Sequence, residues 1–214
     1  MDTFESNKIL NGSADLHDSR EAIIRSLQEA VDYQRSRAAE ILVYRFGFLR
    51  LPFVASRLDD GFNLHVWLDQ LQRDPYPHTH IFDLHSRVLQ AEIVDHSWKL
   101  IDDVNGKYKR VQPLYHDGIT TDHELPGRVR IHPLNQRILR QDDVYSIPKG
   151  EYHSSEIPKC SKPTVTLLRR SNIEKSGHPI NVMPVQQPKE QFFDLRKIAK
   201  EDAWKILSEI VDGL

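Results

Sequence analysis

Between residues 18 and 45 the apolar positions recur at helical spacing. In "DSREAIIRSLQEAVDYQRSRAAEILVYR", Ile23, Ile24, Leu27, Val31, Ala38, Ile41 and Leu42 fall on one stripe. Asp18 followed by Glu21 forms a capping-box pair at its start, with Asp in the usual Ser or Thr position. From about residue 47 the period shortens to that of strands. "FNLHVWL" puts Phe62, Leu64, Val66 and Leu68 on one face, and "SRVLQAEIVD" puts Leu89, Ala91 and Ile93 together. "GRVRIHPL" alternates Val129 and Ile131 with Arg128, Arg130 and His132, and "DDVYSIP" and "PTVTLLRR" complete the series. The turn signals "VNGK" and "LPGR" between these runs predict antiparallel strands in a sandwich or barrel. Beyond residue 171, the Pro-bearing "SGHPINVMPVQQPKEQ" reads as a long surface connection. The tail "DLRKIAKEDAWKILSEIVDGL" is helical again, with Ala199, Ala203, Ile206, Leu207 and Ile210 on one side. The expected layout is a polar segment and packing helix over 1–46, a β domain over 47–170, and a connection with a C-terminal helix over 171–214.

Composition narrows the function classes. A chain of 214 residues suits one domain with a substantial core. Its 29 Lys+Arg against 31 Asp+Glu give no general electrostatic reason to expect nucleic acid. The apolar runs are too short to span a bilayer, and "MDTFESNKILNGS" lacks the charged-then-apolar order of a signal peptide. One cysteine, Cys160, excludes an intramolecular disulfide and a Cys-rich zinc site, and reads as a buried inert thiol. These features predict a soluble cytoplasmic protein whose partner is a small-molecule substrate, with homodimerisation left open.

The candidate chemistry is imidazole. "YPHTHIFDLH" carries three histidines, of which His78 and His80 are two apart and share one face of a strand. Neutral imidazole is a common ligand for zinc, iron, nickel and copper. Further on, "DDVYSIPKGEYHSS" reads Pro148-x-Gly150-x-x-His153: the proline ends a strand, the glycine permits a tight turn, and the next strand carries the histidine.

These two stretches resemble the paired motifs of the cupin superfamily, His-x-His followed by Glu, then Pro-x-Gly with a histidine. The likeness covers roughly residues 60 to 170 and sits nearest the cysteine-dioxygenase-like branch. It implies a mainly β fold, a cupin-type jelly-roll barrel (double-stranded β-helix) with N-terminal and C-terminal helices. It also implies one divalent metal per chain held by His78, His80 and His153. Where the motif carries a ligating Glu, this chain has His85, the candidate fourth ligand. Gln72, Glu92 and Asp142 stand where the motifs have glycines, and Ile157 replaces a final Asn. An all-histidine site leaves the metal's positive charge uncompensated and so favours an anionic substrate.

The resemblance favours Fe(II), with Zn(II), Ni(II) or Mn(II) as alternatives, and a dioxygenase-like oxidoreductase acting on a small thiol, carboxylate or amino-acid derivative. A zinc-dependent non-redox cupin (hydrolysis, isomerisation or rearrangement) and a non-catalytic binding cupin stay as alternatives. Arg130, sharing a face with His132, is the candidate substrate clamp, and Tyr152, with Tyr145, the candidate phenol donor. His65 and Trp67 read as either near the metal or outward.

Overall fold

The structure, a computed structural model, describes residues 6–44, 46–53, 59–71, 76–116, 119–159, 162–186 and 200–214. Helix α1 is Arg20–Ser36 and helix α2 is Lys200–Asp212. The strands are β1 (Leu42–Tyr44), β2 (Phe48–Pro52), β3 (Gly61–Trp67), β4 (Asp83–Gln90), β5 (Glu92–Asp102), β6 (Tyr108–His116), β7 (Ile119–Arg140), β8 (Val144–Ile147), β9 (Tyr152–Glu156), β10 (Thr164–Ser171) and β11 (Asn181–Pro184). No described helix is long and apolar enough to cross a membrane.

α1 is capped one residue later than the sequence suggests: Ser19 is the N-cap and its side chain accepts from the Ala22 amide. The helix also stops earlier. Ala38 takes a left-handed φ of 53°, with Ala38 N bonded to Arg35 O and Ala39 N to Gln34 O. This double closure is a Schellman ending. Leu42 and Val43 are β-prone and pair with β2 instead of continuing the stripe.

Two antiparallel sheets face each other. The first has the order β1-β2-β3-β10-β4-β8 and the second β11-β6-β7-β5-β9. The backbone around His78 bridges β9 through His153 and β11 through Asn181. Taking β3, the His78 segment, β4, β5, β7, β8, β9 and β10 as first to eighth strands, one sheet reads first-eighth-third-sixth and the other second-seventh-fourth-fifth. That interleaving is a jelly roll, extended by β1, β2, β6 and β11.

Three sequence readings change. "SRVLQAEIVD" is two strands rather than one: at Ala91, φ 61°, the chain passes from β4 in the first sheet to β5 in the second, so Leu89 and Ile93 belong to separate clusters. "LPGR" is no turn between strands but lies inside β7, where the ladder to β6 slips between Lys109 and Val111. The connection after residue 171 contributes β11, whose Val182 and Met183 are buried.

Two apolar clusters share the first sheet. On its outer face Leu49, Leu51, Phe62, Leu64, Val66, Val165 and Leu167 lie under α1 (Leu27, Ala30) and α2 (Trp204, Leu207). On its inner face Phe48, Trp67, Leu84, Val88, Tyr145 and Leu168 meet Ile93 and Leu139 of the second sheet. Strand alternation therefore turns His65, Asn63 and Thr166 into the barrel.

Candidate metal centre

His78 and His153 face each other directly across an antiparallel bridge. Their backbones exchange both hydrogen bonds, His78 N to His153 O at 2.8 Å and His153 N to His78 O at 3.0 Å. Directly opposed residues put their side chains on one face, and here that face is the barrel interior. His80, two residues on, is fixed by the turn that precedes β9: its carbonyl accepts from Gly150 N at 3.0 Å. Gly150 has φ 80°, and a Cβ there would touch nothing, so backbone conformation alone requires the glycine. The Pro-x-Gly turn thus ties the two histidine motifs together.

One ligand atom from each of His78, His80 and His153 lies within 4.8 Å of the others, the one such cluster of three or more His, Cys, Asp or Glu groups among the described residues. The hydrogen bonds select the nitrogens. His78 Nδ1 donates to the Tyr76 carbonyl at 3.3 Å and His153 Nδ1 donates to Asp95 Oδ1 at 3.0 Å, which places the lone pair of each ring on Nε2. His80 Nε2 is 2.9 Å from His153 Nε2. Two nitrogens bound to one ion at about 2.0–2.1 Å stand about 2.9 Å apart at a right angle and about 3.3–3.4 Å apart at the tetrahedral angle. The donor set fits a divalent metal, and the 2.9 Å spacing of this pair is also that of a hydrogen bond between the two rings. Burial first, then the His78 and His153 rings, holds His80 well below the usual imidazole range, so it is neutral near pH 7.

Asp95 is the organiser of this corner. Nearly fully buried, it accepts from His153 through Oδ1 and pairs with Arg137 Nε through Oδ2 at 2.9 Å. Ser155 adds a longer bond to Oδ1. Rings enclose the imidazoles: Phe46 stacks on His78 at 4.0 Å and Phe82 on His80 at 4.7 Å between centroids. His65 enters from β3, stacked on Phe48 at 4.4 Å. Burial first, then Arg50 and Arg170, keeps it well below its ordinary pKa.

Three candidates from the sequence lie elsewhere. His85 is outside the cluster, and its Nδ1 and Nε2 are held by the Ser146 and Ser171 hydroxyls at 2.8 and 3.2 Å. The cause is parity: β4 turns Leu84 and Ser86 inward, so His85 faces outward. Arg130 is exposed on the outer face of β7 and pairs with Asp103 at 2.6 Å. Tyr152 precedes the inward His153 on β9 and points the other way. There burial, helped by Asp102 and opposed by Arg110, raises its pKa. The inward phenol is Tyr145, which bonds to Ser86 and is pushed up to about 12 by burial. Cys160 lies outside the described residues.

The glycine substitutions have separate explanations. Asp142 adopts the left-handed region itself, at φ 73°, and its carboxylate is bound by Arg87 at 2.9 Å and Arg20 at 3.4 Å. Beside Glu92, the left-handed residue is Ala91. Gln72 is not among the described residues.

No protein-family model and no curated protein matches this chain. Solved structures similar to it include a cobalt(II) form of HppE in complex with Tris buffer, at 12% identity and TM-score 0.31. That match covers 52% of this chain and 45% of the HppE chain, so it spans under half of its counterpart. A second is hydroquinone 1,2-dioxygenase PnpCD in complex with Cd2+ and 4-hydroxybenzonitrile, at 17% identity, TM-score 0.35, and 66% and 74% coverage. A third is the DMSP lyase DddQ from Ruegeria pomeroyi DSS-3, at 12% identity, TM-score 0.41, and 81% and 74% coverage.

Proposed function

We propose that this chain is a metal-dependent cupin-type enzyme that binds one divalent ion, iron(II) in first place, and oxygenates a small anionic substrate. The observation that carries the reading is the convergence of His78, His80 and His153, with the tautomers of His78 and His153 fixed by acceptors behind them. When bound, the ion supplies Lewis acidity and, if iron, redox chemistry at a centre to which the protein adds no negative charge.

The chain's own residues do the rest. Three imidazoles act as donors, and Asp95 holds the His153 ring in orientation while Arg137 neutralises the carboxylate. Phe46 and Phe82 cover the faces of His78 and His80 and limit water around them. Tyr145 stays a neutral phenol throughout the physiological range.

Metal analysis of protein purified without chelators or a histidine tag, followed by oxygen uptake of the ferrous form with small carboxylates and thiols, tests the proposal. About one metal per chain and stoichiometric oxygen consumption are expected. Full anaerobic activity with zinc would replace it by the non-redox reading.

A further inference from the structure

Along the inward face of β3, two polar side chains follow one another with hydrogen-bonding atoms that the protein leaves open. Asn63 is buried, and its Oδ1 has no hydrogen bond. His65 is half-buried, and among the described residues neither of its ring nitrogens has a hydrogen bond. Its cross-strand neighbours do not supply one. Thr166 on β10 lies directly opposite, but its Oγ1 accepts from Trp67 Nε1 at 3.4 Å. Arg50 on β2 lies opposite on the other side, and its buried Nε is itself unbonded. A buried acceptor without a donor is costly, and leucine would fill the place of Asn63 without that loss. Residues i and i+2 of a strand stand about 6.4–6.8 Å apart on one face, so one small molecule can touch Asn63 and His65 together.

This row shares the barrel interior with the metal centre. Ring contacts run from His65 to Phe48 at 4.4 Å, from Phe48 to Tyr44 at 5.0 Å, from Tyr44 to Phe46 at 5.6 Å and from Phe46 to His78 at 4.0 Å. The surrounding charges select what the row can hold. Burial first, then Arg50 and Arg170, keeps His65 neutral near pH 7, so its ring offers one donor and one acceptor. The same two cations disfavour an ammonium group at this place. A thiol is a weak hydrogen-bond partner, and a methyl group would leave the acceptors unmet. A hydroxyl donates and accepts and carries no charge.

We propose that Asn63 and His65 are specificity-determining residues that hydrogen-bond a hydroxyl group of the substrate, so that the substrate is a small hydroxy acid rather than an amino acid or a thiol acid. The acid half of this statement rests on the anionic-substrate reading of the metal centre; the hydroxyl contact rests on Asn63 and His65 alone.

The test is calorimetric titration of the whole protein, metal-free and then metal-loaded, with matched acids. Glycolate, lactate and β-hydroxybutyrate are compared with acetate, propionate and butyrate, and alanine is set beside lactate. In at least one pair the hydroxy acid should bind about tenfold or more tighter than its deoxy partner, and lactate should bind tighter than alanine. His65→Phe keeps a ring on Phe48 and removes both nitrogens. It should cut the preference to about threefold or less, while the deoxy acid binds as before. Should that variant fail to fold, Asn63→Leu, matched in shape, carries the same expectation. Equal binding within every pair, or no saturable binding of any hydroxy acid, overturns the proposal. So does tighter binding of alanine than of lactate, or an undiminished preference in the folded variant. A His65-dependent preference in protein that takes up no metal leaves the hydroxyl contact standing and removes the metal reading. Metal uptake with no hydroxyl preference does the reverse.

Discussion

The two faces of the first sheet are built from the same strands and do opposite work. On β3, Phe62, Leu64 and Val66 are fully buried beneath the helices, while Asn63, His65 and Trp67 alternate with them into the barrel. On β10, Val165 and Leu167 face the helices, and Thr166 and Arg170 face inward. One face is uniformly apolar and close-packed, where each fully buried side chain contributes about 1.5–3 kcal/mol. The other mixes an apolar floor with imidazoles, guanidiniums and an amide whose polar atoms are incompletely satisfied. The helices stabilise the sheet from outside, which leaves the inner face able to carry groups that are poor for stability but suited to binding.

Substitutions on the two faces should separate stability from chemistry. The largest stability loss is expected outside: Leu64→Ala or Leu207→Ala should cost about 2–5 kcal/mol by denaturant unfolding, with metal content per folded chain unchanged. Loss of metal from a folded Leu64→Ala protein would erase the division between the faces. Alanine at His78, His80 or His153 should lower metal affinity beyond the roughly 10–100-fold that a residue supporting a ligand is worth, while circular dichroism stays native. Asp95→Asn should fall within that roughly 10–100-fold range, because the ring remains but its oriented acceptor is weakened. His85→Ala should leave metal affinity unchanged, and a clear drop would return His85 to the ligand set.

The smallest effect is a pH dependence on the inner face. Folded His65 titrates well below its ordinary value of 6.5, so as pH falls under about 6.5 the unfolded chain takes up a proton that the folded chain refuses. Stability from this group is complete above the unfolded pKa and is lost as pH falls toward the folded one. Comparing unfolding of wild type and His65→Gln between about pH 7.5 and 5.5 should show a shallower decline in the variant. Parallel curves would mean that His65 is not held neutral.

The histidine motifs were legible because each rests on local geometry, an i,i+2 spacing and a Pro-x-Gly turn. The strand series was legible from its alternation. What could not be read was which alternating set faced the barrel. Phe62, Leu64 and Val66 look like a core in sequence, and they are one, but it is the core shared with the helices. Arg50 and Arg170 stand at the inward parity of strands whose outer face is apolar, a position that no local pattern marks. Asp95 left a trace: it follows Ile93 at i+2, an acid at a position otherwise reserved for the interior. His85 and Arg130 face away from the barrel for the complementary reason, since motif position and shared face say nothing of parity against residues such as Leu84 and Val129. The end of α1 was masked because Ile41 and Leu42 fit the helical stripe and a strand equally well.

The bridge at His78 also has a kinetic side. Its backbone is stitched to His153 on one flank and to Asn181 on the other, so this seam closes only when three widely separated parts of the chain have met. Contacts of such long sequence separation carry a loop-closure cost and tend to form late. Two of the three metal donors lie on that seam. An ion that grips them therefore acts mainly after the folding barrier, slowing the reopening of the barrel rather than hastening its assembly.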